Sequence, residues 1–112
     1  MVENDLIRNA RIIMSSADMV YYKKDYTSAT ILYFKAAFLI LDYILLQSKG
    51  QTPKDHTERF RMLELSDKNL YVFLDKNFKI YRQTYTTTTD KFTCDKVREN
   101  VRKIIKEYKI QI

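Results

Sequence analysis

One glycine and one proline in 112 residues constrain this chain more than any other feature. A β-rich domain reverses direction many times and needs residues at special backbone angles to do so. A helical bundle needs only a few short connections, so the scarcity predicts an all-α protein. A chain of this length buries roughly two-thirds of its unfolded surface in one core, and residues 1–112 read as a single domain. Hydrophobic residues at 46% and charged residues at 30% supply both a core and a solvated surface, which excludes wholesale disorder.

Hydrophobic periodicity divides the chain into a bundle of four to five helices. A first helix over about 3–23 carries Leu6, Ala10, Ile13, Ala17 and Val20 at three- and four-residue spacings, with Arg8, Arg11, Ser15 and Asp18 opposite. Asp25 is placed to cap a second helix, Tyr26 to Lys49, that is apolar on almost every side and ends at Gly50 in a left-handed turn. Such a helix is contacted all round, by the rest of the bundle or by a second copy. Thr52, Pro53 and Asp55 predict the start of a short third helix over about 53–65, burying Phe60, Leu63 and Met62. Ser66 and Asp67 then open a fourth over about 68–85, with Leu70, Leu74, Asn77 or Phe78, Tyr81 and Tyr85 inward. The threonine run Thr86–Thr89 is the next connection, because β-branched hydroxyl residues compete with helical hydrogen bonding. Thr93 is the expected cap of a fifth helix, about 94–109, with Val97, Val101, Ile104, Ile105 and Tyr108 inward and Arg98, Arg102, Lys106 and Lys109 outward.

Composition also bounds the chemistry. One cysteine, Cys94, excludes an internal disulfide and points to a reducing, cytoplasmic setting. Glu3, Asp5 and Arg8 precede any apolar run, unlike a secretory signal. The most apolar stretch, Ile31 to Leu46, is short for a membrane span and contains Lys35 and Asp42. With one histidine and one cysteine, no zinc ligand set is expected; with one glycine, no phosphate loop. No cofactor is implied. The formal charge of +6 favours anionic partners such as nucleic acid, and is equally the charge of a solvated lysine-rich surface.

Two polar placements stand out. Lys35 and Asp42 lie seven residues apart on the second helix and share a face, where they flank an exposed strip, satisfy structural hydrogen bonds, or line a groove at a dimer or partner interface. Arg82 lies between Tyr81 and Tyr85, where it either reaches solvent while the rings pack, or holds a phosphate walled by them.

The run Ala17 to Tyr26, followed by Ala29, Tyr33, Ala36-Ala37, Leu45-Leu46, Gly50 and Pro53-Lys54-Asp55-His56, resembles HEPN-domain proteins. The resemblance implies an up-and-down four- to five-helix bundle that commonly dimerises through its second and third helices. It also implies frequent partnership with a nucleotidyltransferase, as in toxin–antitoxin pairs, and in many members a metal-independent ribonuclease activity. Those ribonucleases carry an arginine followed after four to six residues by histidine. Here Arg82 matches the arginine, but Thr87, Thr88 and Thr89 stand where the histidine belongs, and no histidine follows His56. His56 matches the family's non-catalytic histidine at the start of the third helix. Without an imidazole to carry the proton, RNA cleavage is not expected.

Tyr22, Asp25-Tyr26, Ala29, Tyr33 and Ala36 also fit a tetratricopeptide unit. A step of about 34 residues lands on Phe60 and Leu63, without a repeat of the alanine and tyrosine pattern. The reading is a non-catalytic HEPN-like homodimer that binds a nucleotide, RNA or a nucleotidyltransferase-type protein. Its binding residues are expected among Lys35, Asp42, His56, Arg82, Tyr85, Arg98, Arg102 and Lys106. The alternatives are a degenerate ribonuclease using Arg82 and Tyr85, and a purely protein-binding adaptor.

Overall fold

The computed structural model describes residues 2–112, with side chains from Asp5 onward. The described residues form a bundle of five helices without strands: α1 (Val2–Tyr22), α2 (Tyr26–Lys49), α3 (His56–Ser66), α4 (Lys68–Gln83) and α5 (Lys91–Glu107). The 24 residues of α2, at about 1.5 Å per residue, reach roughly 36 Å, nearly the full 38 Å long axis of the molecule. All four other helices pack on it.

Small side chains draw α1 and α2 together. Ala10 and Ala17 of α1, and Ala29, Ala36 and Ala37 of α2, are buried, so the two backbones approach closely. The turn between them places Lys24 in the left-handed region at φ 68°, and the Asp25 carboxylate accepts the Ser28 amide. Tyr33, Phe34, Ile40, Leu41 and Leu45 fill the centre against Leu63, Leu70, Leu74, Val97 and Val101. By length and composition α2 alone, among the described residues, could cross a membrane, yet 56% of its most apolar window is buried inside this bundle.

Expected caps at Asp25, Gly50 and Asp67 are present. Gly50 has φ 76° and donates its amide to the Leu46 carbonyl, and the Asp67 carboxylate accepts the Leu70 amide. Two helix starts differ from expectation. Asp55, not Thr52, caps α3 by accepting the Glu58 amide, while Glu58 reaches back to the Lys54 amide. Asp90, not Thr93, caps α5, and the Thr93 amide is its donor. In both cases a carboxylate outcompetes a hydroxyl for the free amides at the positive helix end.

The second helix is not contacted on every side. Ile31, Lys35, Leu39 and Leu46 recur at four-, four- and seven-residue spacings on one stripe that stays exposed or half-buried.

Candidate functional site

The structure assembles two polar clusters on opposite flanks of α2. The first joins α2 to α3. Arg59 Nε donates to Asp42 Oδ1 at 2.7 Å and Nη2 to Oδ2 at 3.0 Å, with both side chains largely out of solvent. Arg59 Nη1 lies 2.7 Å from His56 Nδ1. A guanidinium has no acceptor, so Nδ1 must be the unprotonated nitrogen. The His56 ring is walled by Phe38, Phe78 and Tyr81, at centroid distances of 4.9, 5.3 and 5.5 Å. Burial, and then the neighbouring Arg59 charge, hold its pKa below the ordinary histidine value. The Tyr81 hydroxyl lies 2.7 Å from that of Tyr85, and burial, with this contact, pushes its pKa up to about 12. The guanidinium's bonds all go to protein partners, so the cluster ties α3 to α2 and offers a ligand little.

The second cluster joins α1, α2 and α5. The buried Tyr33 hydroxyl donates to Asp18 and accepts from Arg98 Nε at 3.0 Å. Burial and the Asp18 bond raise the Tyr33 pKa far above its ordinary value, keeping the hydroxyl protonated. Arg98 also donates to the Tyr22 hydroxyl at 3.1 Å, and its guanidinium lies 4.6 Å from the Tyr21 ring centroid. Asp18 is 3.5 Å from Arg98 Nε and 3.6 Å from Arg102 Nη2. Arg102 and Tyr22 remain open to solvent at 54% and 71%. Beside them an open cavity of about 500 Å³ is lined by Arg11, Met14, Ser15, Asp18, Arg102, Ile105 and Ile112. A second cavity of about 440 Å³ continues past Arg11 to Ile7, Arg8, Tyr43, Gln47 and Lys109. Arg11 lines both cavities: Arg102 stands in the one between α1 and α5, and Arg8 and Lys109 stand in the one between α1, the end of α2 and the residues after α5, where Arg8 also pairs with Asp5 at 2.9 Å.

The expected site residues do not form one site. Asp42 and His56 meet through Arg59; Arg98 and Arg102 meet through Asp18. Lys35 is exposed on the open stripe of α2 and Asp42 turns to α3, so their shared face does not make a joint groove. Tyr85 is 73% exposed, not inward. Arg82 is exposed and lines an open cavity with Phe78, Lys79, Gln83 and Thr86, away from the Tyr81–Tyr85 contact. Lys106 is exposed. Arg98 was expected on the outer face of α5, and Asp18 on that of α1; both are half-buried because each supplies the other's partner across the helix junction.

Arg59 was not named from sequence, and Asp18, Arg11, Tyr22 and Tyr33 were named only as helix-face or family-pattern residues, not as site residues. Arg59 was findable: His56, Arg59 and Leu63 lie at spacings of three and four, which places an arginine on the buried face of α3. Among the described residues, no group of three His, Cys, Asp or Glu side chains gathers as a metal ligand set. Buried Cys94 has its thiol pKa raised by burial, the reverse of a reactive nucleophile.

Neither protein-family models, nor curated proteins, nor solved structures give a match to this chain.

Proposed function

We propose that this chain is a non-catalytic, HEPN-like binding module, a cytoplasmic homodimer whose α1–α5 groove holds single-stranded RNA. The observation that carries this reading is the run of two adjoining cavities that share Arg11, with Arg102 in one and Arg8 and Lys109 in the other, and with solvent-exposed Tyr22 held by Arg98 beyond Asp18. Cations tracking a backbone, with an aromatic face for a base, are the elements of sequence-tolerant single-strand binding. Asp18 offsets part of the charge and, through Arg98 and Tyr33, fixes the tyrosines' orientation. The resemblance of residues 17–63 to HEPN proteins supports the bundle type. The open stripe Ile31, Lys35, Leu39 and Leu46 on α2 supports pairing with a second copy.

The groove contains no histidine, and His56 lies on the other flank of α2, its Nδ1 taken by Arg59. The reading therefore includes no proton transfer. It is tested by titrating a labelled single-stranded RNA of about twelve nucleotides at low and moderate salt and running the same samples on a gel. Binding that weakens with salt, by a log–log slope of about −0.7 per phosphate engaged, with the RNA left intact, is expected. Salt-insensitive absence of binding would turn the search to a protein partner, and cleavage lost in Arg82→Ala would favour the ribonuclease alternative.

A further inference from the structure

The last residues of the chain lie in the same groove. After α5, Tyr108 closes the helix and Lys109 turns the backbone through the left-handed region at φ 53°. The Ile110 amide donates back to the Ile105 carbonyl at 2.9 Å, and its side chain packs on the core. The chain then crosses to α1, where Arg11 Nη2 donates to the Gln111 carbonyl at 2.6 Å. Ile112 comes to rest among Arg11, Met14, Asp18 and Arg102. The crossing falls between the two cavities and engages the one arginine that lines both.

We infer that residues 110–112 are a strap across the α1–α5 groove, and that an incoming RNA strand displaces it to reach Arg11. This rests on the RNA reading above and adds its regulation. The strap satisfies Arg11 with a neutral carbonyl, a weaker partner than a phosphate, so a strand can outcompete it. Its anchors are the two isoleucines and a left-handed lysine, a conformation unfavourable for non-glycine residues.

The test compares the parent chain with Ile110→Ser/Ile112→Ser, which keeps the charge while loosening both anchors. Ile112→Ser alone touches only a 42% exposed residue and leaves the bundle intact. Binding of a labelled U-rich single-stranded RNA is measured across salt, and amide hydrogen exchange over residues 108–112 is followed with and without that RNA. The inference expects roughly three-fold tighter binding at an unchanged salt slope, since parent and variants engage the same phosphates once the strap is displaced, and faster exchange of the strap in the parent when RNA is added. Binding in the variants equal to the parent, with strap exchange unchanged by RNA, would overturn the strap and leave the RNA reading standing. Absence of salt-sensitive binding in parent and variants alike would overturn the RNA reading and the strap with it.

Discussion

Arg59 meets Asp42 edge to edge, donating from Nε to Oδ1 at 2.7 Å and from Nη2 to Oδ2 at 3.0 Å. This pair answers the question raised by an acid on the apolar second helix: its partner comes from α3, four residues into that helix. The short α3–α4 hairpin is thereby pinned to the central rod. Removing Asp42 would leave a buried guanidinium facing Phe38, 4.9 Å from the ring centroid. Asp42→Ala is expected to destabilise by about 3–5 kcal/mol, and Asp42→Leu/Arg59→Met to recover most of that loss. Urea unfolding of the three proteins checks it; equal stability of the parent and Asp42→Ala would contradict it.

His56 makes stability pH-dependent in a defined direction. Its folded pKa lies below the ordinary value of 6.5 because burial and Arg59 oppose the imidazolium. The unfolded chain therefore takes up the proton first as pH falls. Stability from this residue is complete above about 6.5, declines as pH drops through the lower folded pKa, and levels off below it. His56→Phe should flatten that part of the profile, measured as the urea midpoint between pH 7.5 and 5. An unchanged profile in His56→Phe would remove His56 as the cause.

Sequence and structure agree where local chemistry decides and part where charge crosses between helices. Ala10 and Ala17 in the α1 stripe, the mostly apolar α2, and the caps at Asp25, Gly50 and Asp67 are local and were legible, whereas burial on α1 centres on Ile7 and Met14 instead of the expected Leu6, Ile13 and Val20. The start of α5 was not, because Asp90 and Thr93 are both good caps three residues apart. The helix takes the earlier one, adding Lys91 and Phe92 to its first turn. Arg98 looked solvent-facing on its own helix, beside Arg102 and Lys106. Its place depends on Tyr33, Asp18 and Tyr22, which lie 65 to 80 residues away along the chain and meet it only after folding.

Tyr22 separates stacking from hydrogen bonding. Its ring is open and its hydroxyl is bound by Arg98. Tyr22→Ala should weaken single-stranded RNA binding by about 1–3 kcal/mol, while Tyr22→Phe should stay within two- to three-fold of the parent. Fluorescence anisotropy at one fixed salt concentration distinguishes the two. Equal binding by parent and Tyr22→Ala would remove the ring from the site.

The open stripe of α2 predicts how the dimer is broken. Leu39→Glu puts a charge in its middle at a half-buried residue that packs on the core from outside, and replaces none of the fully buried residues. The parent should sediment as a dimer and Leu39→Glu as a monomer with unchanged helical content. A parent that remains monomeric at high concentration would contradict the pairing.

Phosphate engagement by Arg11 and Arg102 in the α1–α5 groove is what sets this chain apart from a merely basic protein surface. Its most direct test is the salt slope of RNA binding for the parent, for Arg11→Ala/Arg102→Ala, and for Lys68→Ala at the start of α4. The groove variant is expected to lose about 1.4 from the log–log slope, two contacts at about 0.7 each, while Lys68→Ala matches the parent. Equal slopes for all three would contradict it and place the positive charge of this protein outside RNA recognition.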